Sequence, residues 1–524
     1  MDPTRISIFL RAAVTGWIAV VTNCAVAFFL TPYVLHRLGD EAFGLWVLVT
    51  TVVGYSGVFD IGIRASLLRY VSRENALGEN ETANKVVATA FYFFTAICVA
   101  TILATFFLSS SLSVFFSVRR DLLDPFRHLF LLAGVVQAVT FPLEIFVGAV
   151  QAAARCDQVY MLRVMSLALR VVCVITVLHA GGKLFGLGAA MVVPNVAYYC
   201  GHIPFALRVM PKMSLHPRWF RRTVLRDMLR YGWVSFTVGI SEKLRDNIYP
   251  LIITKILTPA AVTLFSLPIK LLAFPVQGIG TMTEVLNPLS SQLEAHNDFP
   301  ALRKLILLTV QTAFLILVPM AVFLIVFGKD LLSLWAGPQY RSVYPLLVPL
   351  TLGMGTAATQ CCVQAMLFGI SRHKGMIWFR FSEGLMIAVL GILALRVWGL
   401  FGLALVAAIT QLIINLLLIP RHLCRILDLP LRTYLIEACA KPCVLAVPLA
   451  ATLIGLRSLL VIDRWPALIL ALLVTIVVFT LLVLLLMFAS VTKTNRFSLE
   501  VLRTLEARLK LQKFKPGDAV PENI

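Results

Sequence analysis

The sequence predicts an all-α polytopic membrane protein, with two parallel six-helix lobes and two further C-terminal helices. Three observations predict it. Of 524 residues, 59% are hydrophobic and 14% charged, where soluble domains carry about 25% charged residues. Apolar runs such as Ala467–Phe488 and Leu305–Val326 exceed the roughly 20 residues a helix needs to cross a bilayer, and they lack the in–out alternation of a β-barrel. A short repeat is also visible. At a constant offset of 218 residues, Leu30–Ala42 lies over Ile248–Ala260, matching Pro32 with Pro250, Arg37 with Lys255, Leu38 with Ile256 and Ala42 with Ala260. An even number of helices separates the two stretches, so the lobes point the same way, related by an axis along the membrane normal.

In chain order, fourteen spans are expected at 12–35, 43–66, 87–112, 129–152, 159–179, 184–207, 232–254, 259–282, 305–327, 345–369, 375–395, 398–420, 438–459 and 466–489. Met1–Leu10 lacks a signal-peptide pattern, and Ala12–Leu35 is too long for one, so it is expected to be a spanning helix. The organisation follows as an N-lobe (1–209), a basic connector (210–230), a C-lobe (231–421), two extra spans (422–490) and a tail (491–524). In the tail, Val501, Leu502, Leu505 and Leu509 share one helical face, which suits a helix on the membrane surface or one packed on a loop. Cytoplasmic termini place 29 Lys and Arg on inside loops and 11 outside, the bias the positive-inside rule requires. The outside segment Val118–His128 conflicts, with Arg119, Arg120 and Arg127.

The net charge of +20 does not point to nucleic acid, because charges within spans cancel and the excess lies in loops and tail, facing anionic lipid. The ten cysteines lack metal or redox spacing and read as small buried hydrophobes.

The chemistry lies in charges placed in hydrocarbon. Within Trp233–Ile253 stand Glu242, Lys243, Arg245 and Asp246. Each charge costs about 2.5–3.5 kcal/mol to insert, so such residues face protein or a water-filled cavity. At i,i+3, Glu242 can meet Arg245, and Lys243 can meet Asp246. Glu242 and Asp246 need a further cation, for which Lys270 is expected. Arg170 and Glu144 are deep in the other lobe, and all these charges are expected to line one central chamber. The alternative is a set of buried pairs locking helix to helix. Asp60 with Arg64 (i,i+4) and Arg380 with Glu383 (i,i+3) are expected to self-pair near cytoplasmic helix ends, with snorkelling. Asn195, Gln277, Gln364, Gln411 and Asn415 either bind sugar hydroxyls or join helices. No Walker loop, HExxH, GxSxG or metal-ligand spacing occurs, so no cofactor, metal or enzyme is expected.

Further motifs carry a resemblance. Asp60-Ile61-Gly62 with Arg69, preceded by Leu38–Trp46, resembles the second-helix signature of the oligosaccharide flippases. Arg245-Asp246-Asn247 followed by Thr258–Ser266 is similar to that family's seventh-to-eighth hairpin, as are Pro142 and Gly148 before Gln151–Asp157. The chain resembles a Wzx-type member of the multidrug/oligosaccharidyl-lipid/polysaccharide exporter superfamily over most of Ala12–Pro420. The resemblance implies a MATE-like two-lobe fold, alternating access and a lipid-linked oligosaccharide cargo flipped to the periplasmic leaflet of a bacterial inner membrane. Phe265 stands where the family often has Tyr, the Gly that often precedes it is Thr263 or absent depending on the alignment, and the two extra helices are like those of some lipid II flippases.

The reading expected is a translocase for a polyprenyl-pyrophosphate-linked glycan. Lys243, Arg245, Lys270, Arg170, Asp60, Arg64 and Asn247 would bind substrate. Glu242, Asp246 and Glu144 would hold a coupling H⁺ or Na⁺. Membrane lipids and a polysaccharide polymerase or glycosyltransferase are the expected partners. A multidrug exporter and a non-transporting scaffold are the rivals.

Overall fold

The computed structural model describes residues 3–58, 67, 71, 80–116 and 118–491. Asp60, Arg64 and the expected tail helix lie outside the described residues. The helices are α1 (Pro3–Leu38), α2 (Asp40–Ser56), α3 (Asn80–Phe115), α4 (Arg120–Ala152), α5 (Cys156–His179), α6 (Leu184–Val209), α7 (Arg222–Ile256), α8 (Pro259–Ala295) and α9 (Phe299–Trp335). Then come α10 (Tyr344–Thr359, continued by Cys361–Gly369), α11 (374–398) and α12 (399–427), divided at Gly399, α13 (Leu431–Leu459) and α14 (Trp465–Val491). No strand occurs among the described residues.

Among the described residues, eleven helices are long and apolar enough to cross a membrane. The shortfall from the expected fourteen has three sources. The second expected span runs into 59–66, outside the described residues. The charges of α7 exclude it on composition. Gly375–Leu427 is taken as one apolar helix, yet the chain reverses within it. Gly399 has φ +61° and ψ −152°, the left-handed side of φ that glycine adopts without a Cβ clash. A Cβ on Gly402 would lie 2.5 Å from the Ala394 carbonyl oxygen, and one on Gly375 2.5 Å from His422 Nε2. Residues this far apart in one straight helix cannot touch, so α11 and α12 form an antiparallel hairpin.

Packing repeats between the two sets of six. In the first set, α1 packs on α5, α2 on α4, α3 on α4, α4 on α6 and α5 on α6. In the second, α7 packs on α11, α8 on α10 and α9 on α10; Gly353 of α10 abuts Ala408 of α12. The helix ends repeat too, α1 stopping at Leu38 and α7 at Ile256, the pair aligned in the sequence repeat. The extra helices α13 and α14 lie against α9. Buried Asp330 ties α13 in place, accepting from Arg341 and Arg457 at 3.1 Å each. Asp330→Ala should lower stability by about 1–2 kcal/mol, because both arginines are partly solvated. A thermal series read by size exclusion in detergent checks this.

The basic connector is clamped onto α3. Asn84 donates to the Lys212 carbonyl at 2.9 Å and accepts from the Ser214 amide at 3.0 Å. Thr89 accepts from the Arg221 amide at 3.1 Å, and the Tyr92 hydroxyl donates to the Leu215 carbonyl at 3.0 Å. Met228, near the start of α7, is buried in the same cluster as Val86, Val87 and Ala90 of α3. The conflicting arginine Arg119 reaches Glu41 at 3.3 Å and Asp121 at 2.5 Å, so local acids balance part of that loop. All ten cysteines are free.

Candidate functional site

The two sets of six helices meet along α1, α2, α7 and α8. They close at the end where α1 turns into α2 and α7 into α8. There, Thr263 donates to the Asp40 carbonyl at 2.6 Å, and the Tyr340 hydroxyl donates to the Asp40 carboxylate. Gly44 comes so near α8 that a Cβ on it would sit 1.8 Å from the Pro259 carbonyl oxygen. Phe43 joins Ile252, Ile253, Val262 and Phe265 in one buried cluster.

Beneath this closure lies a cavity of about 400 Å³. It runs along α1 from Val34 to Asn23, about 16 Å at 1.5 Å per residue. Trp46, Thr50, Gln137, Asn195 and Tyr199 supply further wall from α2, α4 and α6. Two cations face it, Arg170 of α5 and Lys270 of α8, and no carboxylate lines it among the described residues. Arg170 Nε is buried with no hydrogen-bond partner among the described residues. The Lys270 ammonium sits 5.6 Å from the centroid of the Phe43 ring, a cation–π contact across the two helix sets, and forms no ion pair among the described residues. Asn23 donates to Gln277 of α8 at 3.1 Å, closing the α1–α8 seam alongside.

Lys270 is therefore not the counter-ion of Glu242 and Asp246. Its place on α8 turns it toward α2 and α5 instead. Glu242, Lys243, Arg245, Asp246, Asn247 and Glu144 do not line this cavity. Glu144 lies one residue behind its wall, accepting from the Tyr199 hydroxyl at 2.9 Å. Asn247 lies near α2, its Nδ2 3.8 Å from where a Gly54 Cβ would be.

The charges of α7 enter a different arrangement, inside the second set of helices. Arg245 donates to Asp246 at 2.7 Å and approaches Glu383 at 4.0 Å. Arg380 donates to Glu383 at 2.9 Å, to Asn415 at 3.0 Å and to Gln364 at 3.4 Å. Gln364 in turn donates to Glu242 at 2.5 Å. The expected i,i+3 pairs of α7 do not form, because α7 and α11 pack closely. A Cβ on Gly384 would be 3.3 Å from the Arg245 backbone nitrogen, and Arg245 is drawn across that contact. Arg380 and Glu383 do pair, but they are 1% and 0% exposed rather than snorkelling at an edge. Each of the three carboxylates has a fixed partner, Asp246 in Arg245, Glu383 in Arg380 and Glu242 in Gln364, so this cluster matches the helix-locking alternative. Gln277, Gln364 and Asn415 join helices, while Asn195 donates to the Met191 carbonyl within α6 at 2.8 Å.

Sequence reasoning missed Asp40, Asn23, Gln137 and Tyr199. Asp40 falls between the first two expected spans and was given no role, and the others carry no periodic or charge signal. Among the described residues no group of His, Cys, Asp or Glu could hold a metal ion.

Comparison with known proteins gives the following. Residues 34–345 match the family described as polysaccharide biosynthesis protein. The uncharacterized membrane protein EpsK of Bacillus subtilis (strain 168) is 22% identical over 481 residues, covering 86% of this chain and 90% of that one. An inward-facing multidrug resistance MATE family transporter of the MOP superfamily superposes with a TM-score of 0.69 at 14% identity, covering 80% of this chain and 99% of that chain. The lipid II flippase MurJ in an inward closed conformation gives 0.67 at 12% identity, covering 90% and 97%. At these identities the two structures establish the fold, that of MATE transporters and MurJ.

Proposed function

We propose, on the premise that this chain belongs to the polysaccharide biosynthesis protein family, that it carries a polyprenyl-pyrophosphate-linked oligosaccharide across a bacterial inner membrane, from the cytoplasmic to the periplasmic leaflet. The observation that carries this reading is the cavity inside the first helix set, closed on one side by Lys270 of the second, where Arg170 and Lys270 stand without a carboxylate among the described lining residues. Two cations in a partly desolvated cavity, neither in an ion pair among the described residues, favour an anion with more than one charge, as a pyrophosphate is. At about 400 Å³ the space lies near the lower end of small-molecule pockets. It suits a head group with its first sugars, the polyprenyl tail staying in the bilayer.

The two bodies that rock would be 1–209 and 231–421, with closure at Asp40, Gly44 and Thr263 facing the periplasm and both termini cytoplasmic. Lys243 and Asn247, on the helix that borders both bodies, would meet substrate only once the bodies part. Glu144, held by Tyr199 at the cavity wall, would be the acid placed to exchange a proton with it. Glu242 and Asp246 would hold helices together through the Arg380 cluster. A polymerase or glycosyltransferase would supply or receive the glycan at the membrane.

Arg170→Ala and Lys270→Ala should each weaken binding of a polyprenyl-pyrophosphate glycan about 10- to 150-fold, at about 1.5–3 kcal/mol per charged contact. Export should fall while membrane insertion persists. Full export by both variants at normal protein levels overturns the reading. A multidrug exporter would instead leave glycan export untouched on deletion and sensitise cells to drugs. A scaffold would tolerate both substitutions.

A further inference from the structure

Arg163 of α5 is a charge that neither the cavity nor the α7 cluster uses. It is exposed and forms no hydrogen bond or ion pair among the described residues. Snorkelling to the lipid head groups does not account for it. Met161, Met165 and Val172 are 45%, 60% and 57% exposed and mark the lipid side of α5. At about 100° per residue, Arg163 lies about 160° round the helix from Met165. On its own side stand Leu167, about 40° away, and Arg170, about 20° away, and both line the cavity. The exposed guanidinium therefore enters the interior of the protein and not the bilayer.

Its depth follows from the packing of α1 on α5. The two helices run parallel: a Cβ on Gly16 would lie 3.2 Å from the Tyr160 ring, and the Tyr33 hydroxyl donates to the Ile175 carbonyl at 3.4 Å. On that register Arg163 is level with Ala19 and Val20, about one helical turn beyond Asn23, where the α1 wall of the cavity ends. That end is opposite the closure at Asp40 and Gly44. Arg163 thus stands at the inner mouth of the cavity, about 10 Å along α5 from Arg170. The two charges repel each other. Glu144 in the neighbouring wall accepts from Tyr199 at 2.9 Å rather than from Arg163. An anion on its way into the cavity meets both arginines in turn.

We infer that Arg163 is the entry residue for the cargo: its guanidinium captures the pyrophosphate at the inner mouth and passes it to Arg170 and Lys270. The inference rests on the reading of the chain as a carrier of pyrophosphate-linked glycans. The two arginines divide the work by their surroundings. Arg163 is exposed, so its charge is screened and holds an anion weakly. Arg170, with its Nε buried, holds the anion once it has arrived. A charge at the edge of a site acts on the association rate and its salt dependence, whereas a buried one acts on dissociation.

The test is surface plasmon resonance of the full-length protein in nanodiscs, with geranyl pyrophosphate as the probe and protein-free nanodiscs subtracted. Arg163→Ala should lower the association rate about threefold or more and flatten its dependence on salt, leaving the dissociation rate unchanged. Arg170→Ala should instead raise the dissociation rate about tenfold or more. Arg163→Lys should keep the wild-type association rate, and Arg218→Ala, an exposed cation on the connector, should leave both rates alone. An unchanged association rate in Arg163→Ala, beside faster dissociation in Arg170→Ala, overturns the entry role and leaves the carrier reading standing. An equal fall in Arg218→Ala overturns it too, since net charge and not position would then govern capture. Faster dissociation in Arg163→Ala also overturns it, by placing the residue in the site itself. Absence of binding by the wild type overturns this inference and the carrier reading together. Should Arg163→Ala aggregate, Arg163→Gln decides by the same two rates.

Discussion

Gly44→Ala should hold the two halves apart at the closed end and reduce export by about an order of magnitude. A Cβ at this position would lie 1.8 Å from the Pro259 carbonyl oxygen. That obstacle is main chain at the first turn of α8, so no side-chain rotation relieves it. Overpacking of this kind costs about 1–3 kcal/mol, which shifts a two-state equilibrium by about 5- to 150-fold. The hydrogen bonds from Thr263 and Tyr340 to Asp40 lie at the same closure and lengthen with it. Hydrogen exchange at residues 36–46 and 257–265 should rise in the variant while exchange in α13 stays the same. Unchanged exchange at the closure would show that the halves already stand apart there in the membrane. Gly39→Ala is the companion substitution. At Gly39, φ is +78° with open space around it, so its cost is backbone strain alone, about 1 kcal/mol, without pressing on the other half.

Arg380→Met should be the most destabilising single change in the second helix set, at about 3–5 kcal/mol. Arg380 is 1% exposed and Glu383 0%. Removing the guanidinium leaves Glu383 buried with Arg245 at 4.0 Å as its remaining ionic partner, and strips Asn415 and Gln364 of their shared donor. Breaking one side of a buried ionic cluster costs this much because the remaining charge has lost its compensation. Methionine fills much of the volume, which separates the electrostatic loss from a cavity. The measurement is the apparent Tm in detergent of Arg380→Met against Arg380→Met with Glu383→Gln. The second change should return a large part of the loss, since it removes the stranded charge. If Glu383→Gln returns nothing, the cluster is held by packing and not by charge.

Much of the architecture was legible because it follows from length and hydropathy. The hairpin at Gly399 illustrates this: the apolar run was too long for one crossing, and a glycine divides it. The repeat between Leu38 and Ile256 identified matching helix ends from a handful of residues. The site was legible only in part. Sequence shows that Lys270 and Arg245 are deep, but which way each faces depends on helix rotation, and rotation is fixed by contacts such as Gly384 against α7 that leave no local signal. Arg380 looked peripheral because it stands near the start of its helix, which begins at Lys374; its burial comes from Gln364 and Asn415 on neighbouring helices, and such contacts leave no local signal. Tyr199 and Asn23 were invisible because tyrosine and asparagine occur in many helices for reasons of packing. The cavity belongs to residues that converge from five helices of one half and one residue of the other.

The clamp on the connector sets where bending must occur. With Asn84, Thr89 and Tyr92 gripping Lys212–Arg221, that strand is no slack tether. Met228 is fastened to the first half, whereas Leu244 and Arg245 are fastened to α11 in the second. A single continuous helix thus belongs to one body at its start and to the other sixteen residues later. Any tilt of one half against the other must be absorbed as flexure of the rod itself, between Met228 and Leu244, so the pivot is an elastic spring and not a loose joint.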